Sequence, residues 1–144
     1  MAEYLQRQGF LGQKSTEVLR GSTVGIIGLC GGGSHIAQQL AHIGVGRFKL
    51  FDHDRAEDTN LNRMVGLTRV RADRAHRKTD VISDLIRGIN PEAQIEIFAT
   101  QWQNAHEALR DCTACFGCVD SYGERDQLER YARRFMIPYI DVGM

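Results

Sequence analysis

The run Gly28-Leu29-Cys30-Gly31-Gly32-Gly33-Ser34, set directly behind the apolar stretch Val24-Gly25-Ile26-Ile27, constrains the fold more than any other segment of this chain. A short β-rich block that breaks into glycines and then into a helical pattern reads as a strand turning into a helix. Glycines suit that turn because a Cβ would hold a phosphate away from the backbone N–H groups and the positive end of the helix. Tight strand–helix packing is the competing use of the same residues, and the run alone leaves both open.

The flanking sequence extends the pattern. After Ser34, Ile36, Leu40 and Ile43 recur at helical spacing with small Ala37 and Ala41 between them. Gly44-Val45-Gly46 closes that helix, and Arg47 to Phe51 reads as a second strand ending in Asp52-His53-Asp54. In a nucleotide-binding βαβ unit, a carboxylate about 20 residues beyond the glycines accepts hydrogen bonds from ribose hydroxyls. Asp52 stands 24 residues beyond Gly28. Capping a strand end or a turn is the other ordinary use of Asp52 and Asp54.

Further on, the spacing predicts a helix from about Arg74 to Gly88, stopped by Asn90-Pro91, then a strand over 94–99. A short helix near 104–110 leads to an apolar strand over 113–119 that ends at Asp120. Leu128, Tyr131, Ala132 and Phe135 mark another amphipathic helix, and 136–142 a fifth strand. This alternation predicts an α/β fold: a doubly wound, Rossmann-like, mainly parallel sheet of about five strands with helices on both faces. Its ligand edge would gather the glycine run, Asp52 and Asp120.

At 144 residues the chain fits one domain, and its two prolines mark no linker. Lysine plus arginine and aspartate plus glutamate number 18 each, so no overall field draws the chain to nucleic acid or to an acidic membrane. The local run Arg69 to Lys78 is basic enough for a solvated helix start or an RNA-facing patch, but it lacks interleaved aromatics, which favours a phosphate-facing edge. No stretch reaches the length of a membrane span and the N-terminus is polar, so a cytoplasmic setting is expected. Cys112, Cys115 and Cys118 form a C-x-x-C-x-x-C string, but three residues along a strand reverse the face, so Cys115 and Cys118 cannot share a metal without a bulge. Buried free thiols are the expected state.

The segment Asp52-His53-Asp54-Arg55-Ala56-Glu57-Asp58-Thr59-Asn60-Leu61-Asn62-Arg63 closely resembles the Asp-x-Asp-x-Val-x-x-Ser-Asn-Leu-x-Arg signature of the ThiF/MoeB family, which includes the ubiquitin-activating enzymes. The resemblance continues through the glycine run, Lys78 twelve residues before Asn90-Pro91, and Asp120-Ser121-x-x-x-Arg125. Tyr4-Leu5-Gln6-Arg7-Gln8 is similar to the family's N-terminal Arg-Tyr-x-Arg-Gln segment with a spacing shifted by one.

That resemblance implies an adenylyltransferase, which activates the C-terminal carboxylate of a ubiquitin-like or sulfur-carrier protein with ATP and Mg2+. By analogy Gly28, Gly31, Gly32, Gly33 and Ser34 would cradle phosphate, Asp52 and Asp54 would lie at the ribose, and Asn60 and Arg63 would hold phosphates. Lys78 would neutralise growing charge, Asp120 would bind magnesium with Ser121 beside it, and Arg7 would reach across a homodimer as an arginine finger. Taken alone, Asp120 is equally a helix cap. Cys30 replaces the loop's usual second glycine, and Ser121 an asparagine. Family adenylation domains run on past residue 144, so a single domain over 1–144, cut short on its C-terminal side, is expected. The alternative is a non-catalytic module binding ATP or NAD, or the regulatory half of a dimer.

Overall fold

The computed structural model describes residues 3–143. The five β-rich blocks form β1 (Thr23–Ile27), β2 (Arg47–Phe51), β3 (Gln94–Phe98), β4 (Ala114–Gly117) and β5 (Tyr139–Asp141). All pair in parallel in the order β3-β2-β1-β4-β5. The helices are α1 (Ser15–Gly21), α2 (Gly31–His42), α3 (Arg69–Asp73), α4 (Lys78–Ile89) and α5 (Tyr122–Arg134), with 3-10 segments at Glu3–Leu11, Asp58–Asn60 and Trp102–Leu109. From β1 the chain winds one way to β2 and β3, then crosses back to lay β4 on the other side of β1. The connections therefore diverge between β1 and β4, where open α/β sheets bind ligands.

Alternation along the strands separates two apolar layers. Val24, Ile26, Phe48 and Leu50 face α2 and α4, whose Ala37, Ala41, Val81, Ile82 and Ile86 are buried against them. Ile27, Phe51 and Cys115 face the opposite layer with Trp102, Leu109, Leu128 and Ala132. Burying each large aliphatic or aromatic side chain contributes on the order of 1.5–3 kcal/mol. The alanines of α2 let the helix approach the sheet closely, while Ile36 and Leu40 close its flanks and Ile43 lies at its exposed end. Helices thus cover both faces, as the alternation predicted.

Besides β3 and β4, which are shorter than the expected 94–99 and 113–119, four features depart from expectation. The helix expected from Arg74 begins at Lys78, because Thr68 caps the separate α3 and Ala75 adopts a left-handed conformation (φ 47°) that reverses the chain. Arg77 then pairs antiparallel with Arg55. Helix α2 starts at Gly31, three residues before Ser34, and the expected helix over 104–110 is a 3-10 segment kinked at Ala105. The fifth strand is confined to Tyr139–Asp141, since Met136 is left-handed (φ 54°) and ends the turn after α5.

Candidate functional site

The ends of β1, β2, β3 and β4 converge on an open cleft of about 260 Å3. The glycine run forms its floor, and its glycines divide by role. Gly28 sits at φ +89°, where a Cβ would come within 2.6 Å of the Cys118 carbonyl oxygen, and a Cβ on Gly33 would collide with the Gly28 carbonyl. These two allow strand, turn and helix to close together. At Gly31 the nearest atom to a Cβ would be Arg63 Cδ at 3.7 Å, and at Gly32 it would be Val142 Cγ1 at 3.4 Å. Those two positions have room for a methyl group, so packing does not demand glycine there.

Helix α2 carries no side-chain cap at Cys30. The first N–H groups of a helix have no partner within it, and together with the helix dipole they favour an anion. Within the turn, Gly28 N–H donates to Phe51 O at 2.9 Å and Leu29 N–H to Asp52 Oδ2 at 2.8 Å. Asp52 Oδ1 accepts from Asp54 N–H at 2.9 Å, so the carboxylate is fixed at the cleft wall by two backbone groups. Ser34 is fully buried, with Oγ donating to Gly31 O and accepting from Val65 N–H, both at 3.0 Å. Its hydroxyl braces the start of α2 against the loop behind it.

Lys78, the first residue of α4, is 7 % exposed and lines the cleft. Its Nζ donates to Asp54 Oδ2 at 3.0 Å, and its N–H to the Asp54 carbonyl at 3.2 Å. Burial works against its charge, but the bond to Asp54 and the fields of Asp52 and Asp54 outweigh it and hold the ammonium above the usual lysine range. An ammonium has three N–H donors, and Asp54 occupies one of them. The expected roles of Asp54 and Lys78 are therefore physically joined.

Asp120 follows β4 and is exposed in the cleft. The capping use considered for it falls to its neighbour: Ser121 Oγ accepts from Glu124 N–H and caps α5. Asp120 has no hydrogen-bond or ion-pair partner among the described residues, so its carboxylate fits a hard cation. Asn60 is buried, and its Oδ1 accepts from Glu57 N–H in a capping box that shapes the loop after β2. Arg63 lies over Gly31, its Nη1 donating to Thr59 O at 2.8 Å and to Asn62 Oδ1 at 3.1 Å, with no carboxylate partner among the described residues.

Arg7 is not brought to this cleft. Its segment packs on the far end of α2, where Leu5 meets Gly44 and Gln8 Nε2 donates to His42 O. The helix alone separates the two ends by about 18 Å. Conversely, Thr100, Gln101, Trp102 and Glu124 line the cleft without having been singled out. Their place directly after β3 and at the start of α5 was the available signal. Asp52, His53 and Asp54 cluster within 4.8 Å, but two backbone N–H groups, Lys78 and His53 already engage the two carboxylates.

A parallel sheet whose switch point holds an uncapped helix start, an aspartate directly after β2 and a buried lysine is a Rossmann-like α/β arrangement. The ThiF family model matches residues 4–144, and the chain belongs to that family. It is 30 % identical over 135 residues to the tRNA threonylcarbamoyladenosine dehydratase of Escherichia coli K12, covering 92 % of this chain and 50 % of that protein. It is 35 % identical over 99 residues to ubiquitin-like modifier-activating enzyme 5 of Caenorhabditis briggsae, covering 65 % of this chain and 20 % of that one. The crystal structure of the E. coli dehydratase TcdA in complex with AMP superposes with a TM-score of 0.89 at 26 % identity, over 96 % of this chain and 57 % of that one. E. coli MccB with MccA-N7isoASN gives 0.82 at 26 %, over 90 % and 38 %. The chain thus spans at most about half the length of these curated relatives.

Proposed function

We propose that the cleft binds ATP and that the chain is the nucleotide-binding part of an enzyme that activates a carboxylate as its acyl-adenylate. The carrying observation is the meeting, at one sheet edge, of an uncapped helix start, a buried charged lysine with donors to spare and an uncommitted aspartate. A carboxylate oxygen attacks the α-phosphorus, the bond to the β-phosphate oxygen breaks, and pyrophosphate leaves. The protein's part is to align the reactants and offset charge on the phosphates.

In this reading Asp52 accepts from the ribose hydroxyls, and the backbone of Gly28 and Gly31 to Gly33 faces phosphate. Ser34 braces that turn, and Asn60 shapes the loop that holds Arg63 over the helix start. Asp54 orients Lys78, which meets the charge developing on phosphate. Asp120, with Ser121 beside it, would hold Mg2+, which supplies charge neutralisation at the phosphates. Arg7 serves only a neighbouring copy, since its own cleft lies beyond the length of α2. The acceptor we favour is the C-terminal glycine of a ubiquitin-like or sulfur-carrier protein. Relatives named ubiquitin-like modifier-activating enzyme and MccB crystallised with MccA peptides support that class, and TcdA complexes with ATP and AMP support the nucleotide. A cytoplasmic setting belongs to the same reading; among the described residues no helix is long and apolar enough to cross a membrane.

Titration calorimetry tests this directly. ATP is expected to bind in a magnesium-dependent manner and more weakly to Asp120→Ala. Tight NAD binding, indifferent to magnesium and to Asp120, would instead establish a dinucleotide module.

A second acceptor class has its own observation. Arg55 and Arg77 face each other across an antiparallel bridge, and with Arg74 they lack carboxylate partners among the described residues, whereas Arg69 and Arg71 of the same run pair with Asp58 and Asp84. Like charges placed opposite one another are destabilising unless an anion joins them. Together with the relatives named for a tRNA nucleoside, this favours a carboxylate carried on RNA as the alternative. RNA binding that weakens steeply with salt and is reduced by Arg77→Ala would support it, and its absence at moderate salt would dismiss it.

A further inference from the structure

On the face away from α2 and α4, one row of register partners crosses the sheet: Glu96, Lys49, Gly25, Cys115 and Tyr139. Four ionisable side chains there flank a glycine. The adjoining row holds Phe98, Phe51, Ile27 and Gly117 and ends in Asp141 on β5. Gly25 leaves a hollow shared by Leu109 Cδ2 and two sulfurs: Leu109 Cδ2 lies 3.0 Å, and Cys112 Sγ and Cys115 Sγ each 3.2 Å, from where a Gly25 Cβ would stand. The cleft chemistry uses neither thiol.

We propose that Cys112 and Cys115 form a redox-active dithiol that closes to a disulfide on reaction with a peroxide. The two sulfurs border the same hollow, and Cys112, at 8 % exposure against 2 % for Cys115, is the less buried residue. The neighbouring Cys115 thiol pulls the Cys112 thiol below its ordinary range despite burial, with the Lys49 ammonium adding to the effect and Asp111 and Glu96 opposing it. Cys115 is pushed well up by the neighbouring Cys112 and by its burial. One acidified thiol beside one protonated thiol, near a fixed cation, is the asymmetry that makes a C-x-x-C pair reactive. Cys118 lies in the other layer, its thiol raised to about 12 by burial and by Asp141.

Lys49 is held in place by Asp111 Oδ1 at 2.5 Å and the Ala108 carbonyl at 3.0 Å, with Glu96 at 3.8 Å. Its charge is therefore fixed beside the sulfurs. The Cys112 thiolate attacks one peroxide oxygen; an S–O bond forms, the O–O bond breaks, and hydroxide leaves and is protonated to water. The Cys115 sulfur then attacks the sulfenic sulfur, the S–S bond forms, the S–O bond breaks, and a second water departs with the Cys115 proton. Two thiols lose two electrons and one peroxide gains them.

The test treats the whole chain with hydrogen peroxide, then counts free thiols and maps linked peptides by mass spectrometry without reduction. A Cys112–Cys115 link is expected, with two thiols lost together and recovered with dithiothreitol. Cys112→Ser should abolish the link, with folding checked by circular dichroism, and Lys49→Met should slow its formation by about tenfold through a smaller thiolate fraction. Should Cys112→Ser fail to fold, the thiol count and linked-peptide map of the parent chain carry the test. Oxidation at Cys30 with Cys112 and Cys115 still free, or a link joining a different pair, overturns the proposal. An unchanged rate in Lys49→Met overturns the part given to the lysine.

Discussion

Two lysines are buried in this protein, at 6 % and 7 % exposure, and they sit in opposite circumstances. Lys49 is nearly filled: a carboxylate and a carbonyl take two of its three N–H donors, and a second carboxylate stands 3.8 Å away. Lys78 has Asp54 as its one hydrogen-bond partner and borders a cleft floored by an uncapped helix start. Both are held above the ordinary lysine range, in each case because aspartate contacts outweigh burial. The shift alone therefore does not separate them. Unfilled donors do, since a buried ammonium with spare N–H groups beside open space is arranged for an anion that arrives later. The glycines divide likewise, Gly28 and Gly33 being demanded by neighbouring backbone and Gly31 and Gly32 facing room.

The largest effect expected is at Lys78. On the proposed reading, replacing it with Met should lower adenylate formation, read as ATP–pyrophosphate exchange, by about 10²–10³-fold. The melting temperature should barely move, because Asp54 is half exposed and stays hydrated. Exchange left intact would instead make Lys78 a second Lys49.

Next comes Gly33→Ala, whose methyl must displace the Gly28 carbonyl and should cost about 3 kcal/mol or more in urea denaturation. Gly31→Ala is the partner measurement. It replaces a helical glycine where space exists, so stability should hold or rise by up to about 1 kcal/mol while ATP binding weakens. Equal destabilisation by both would erase the division between the glycines. Lys49→Met is smaller again: Asp111 is largely exposed and the pocket accepts an apolar side chain, so a change within about 1–2 kcal/mol with ATP affinity unaltered is expected.

How much of this the sequence disclosed follows from the range of the interactions. Strands β1 and β2 and the turn at Gly28 were legible because apolar blocks and glycines act locally. The start of α4 was not. Ala75 turns left-handed and Arg77 bridges to Arg55 without a glycine or proline to mark the break. Asp54 and Lys78 were each identifiable by resemblance, but their 3.0 Å pairing spans 24 positions and appears only in the fold. Ser121 rather than Asp120 caps α5, a choice between adjacent residues that composition does not decide. The row Glu96-Lys49-Gly25-Cys115-Tyr139 depends on the register of five strands, which no single segment encodes. The separation of Cys115 from Cys118 was legible, because it needs only the two-residue period of one strand.

The smallest effect expected applies the distinction to a surface pair. Arg125 of the Asp120-Ser121-x-x-x-Arg125 motif spends its guanidinium on Asp141, with contacts of 2.7–3.1 Å, so it fastens the end of β5 to α5 and leaves Asp120 unpaired. The bond to Arg125, aided by Gly143 N–H, holds the Asp141 carboxyl below its ordinary value of 3.8. A depressed native value means that this contribution to stability is complete above the unfolded value and fades as pH falls through the native one. Asp141→Asn should therefore melt slightly below the parent at neutral pH, and the two curves should converge below pH 3.8. Because both partners are partly solvated, the gap should also narrow in high salt. A gap that persists at low pH would mean that the asparagine disturbs the chain turn at Gly143, and that the ion pair contributes little.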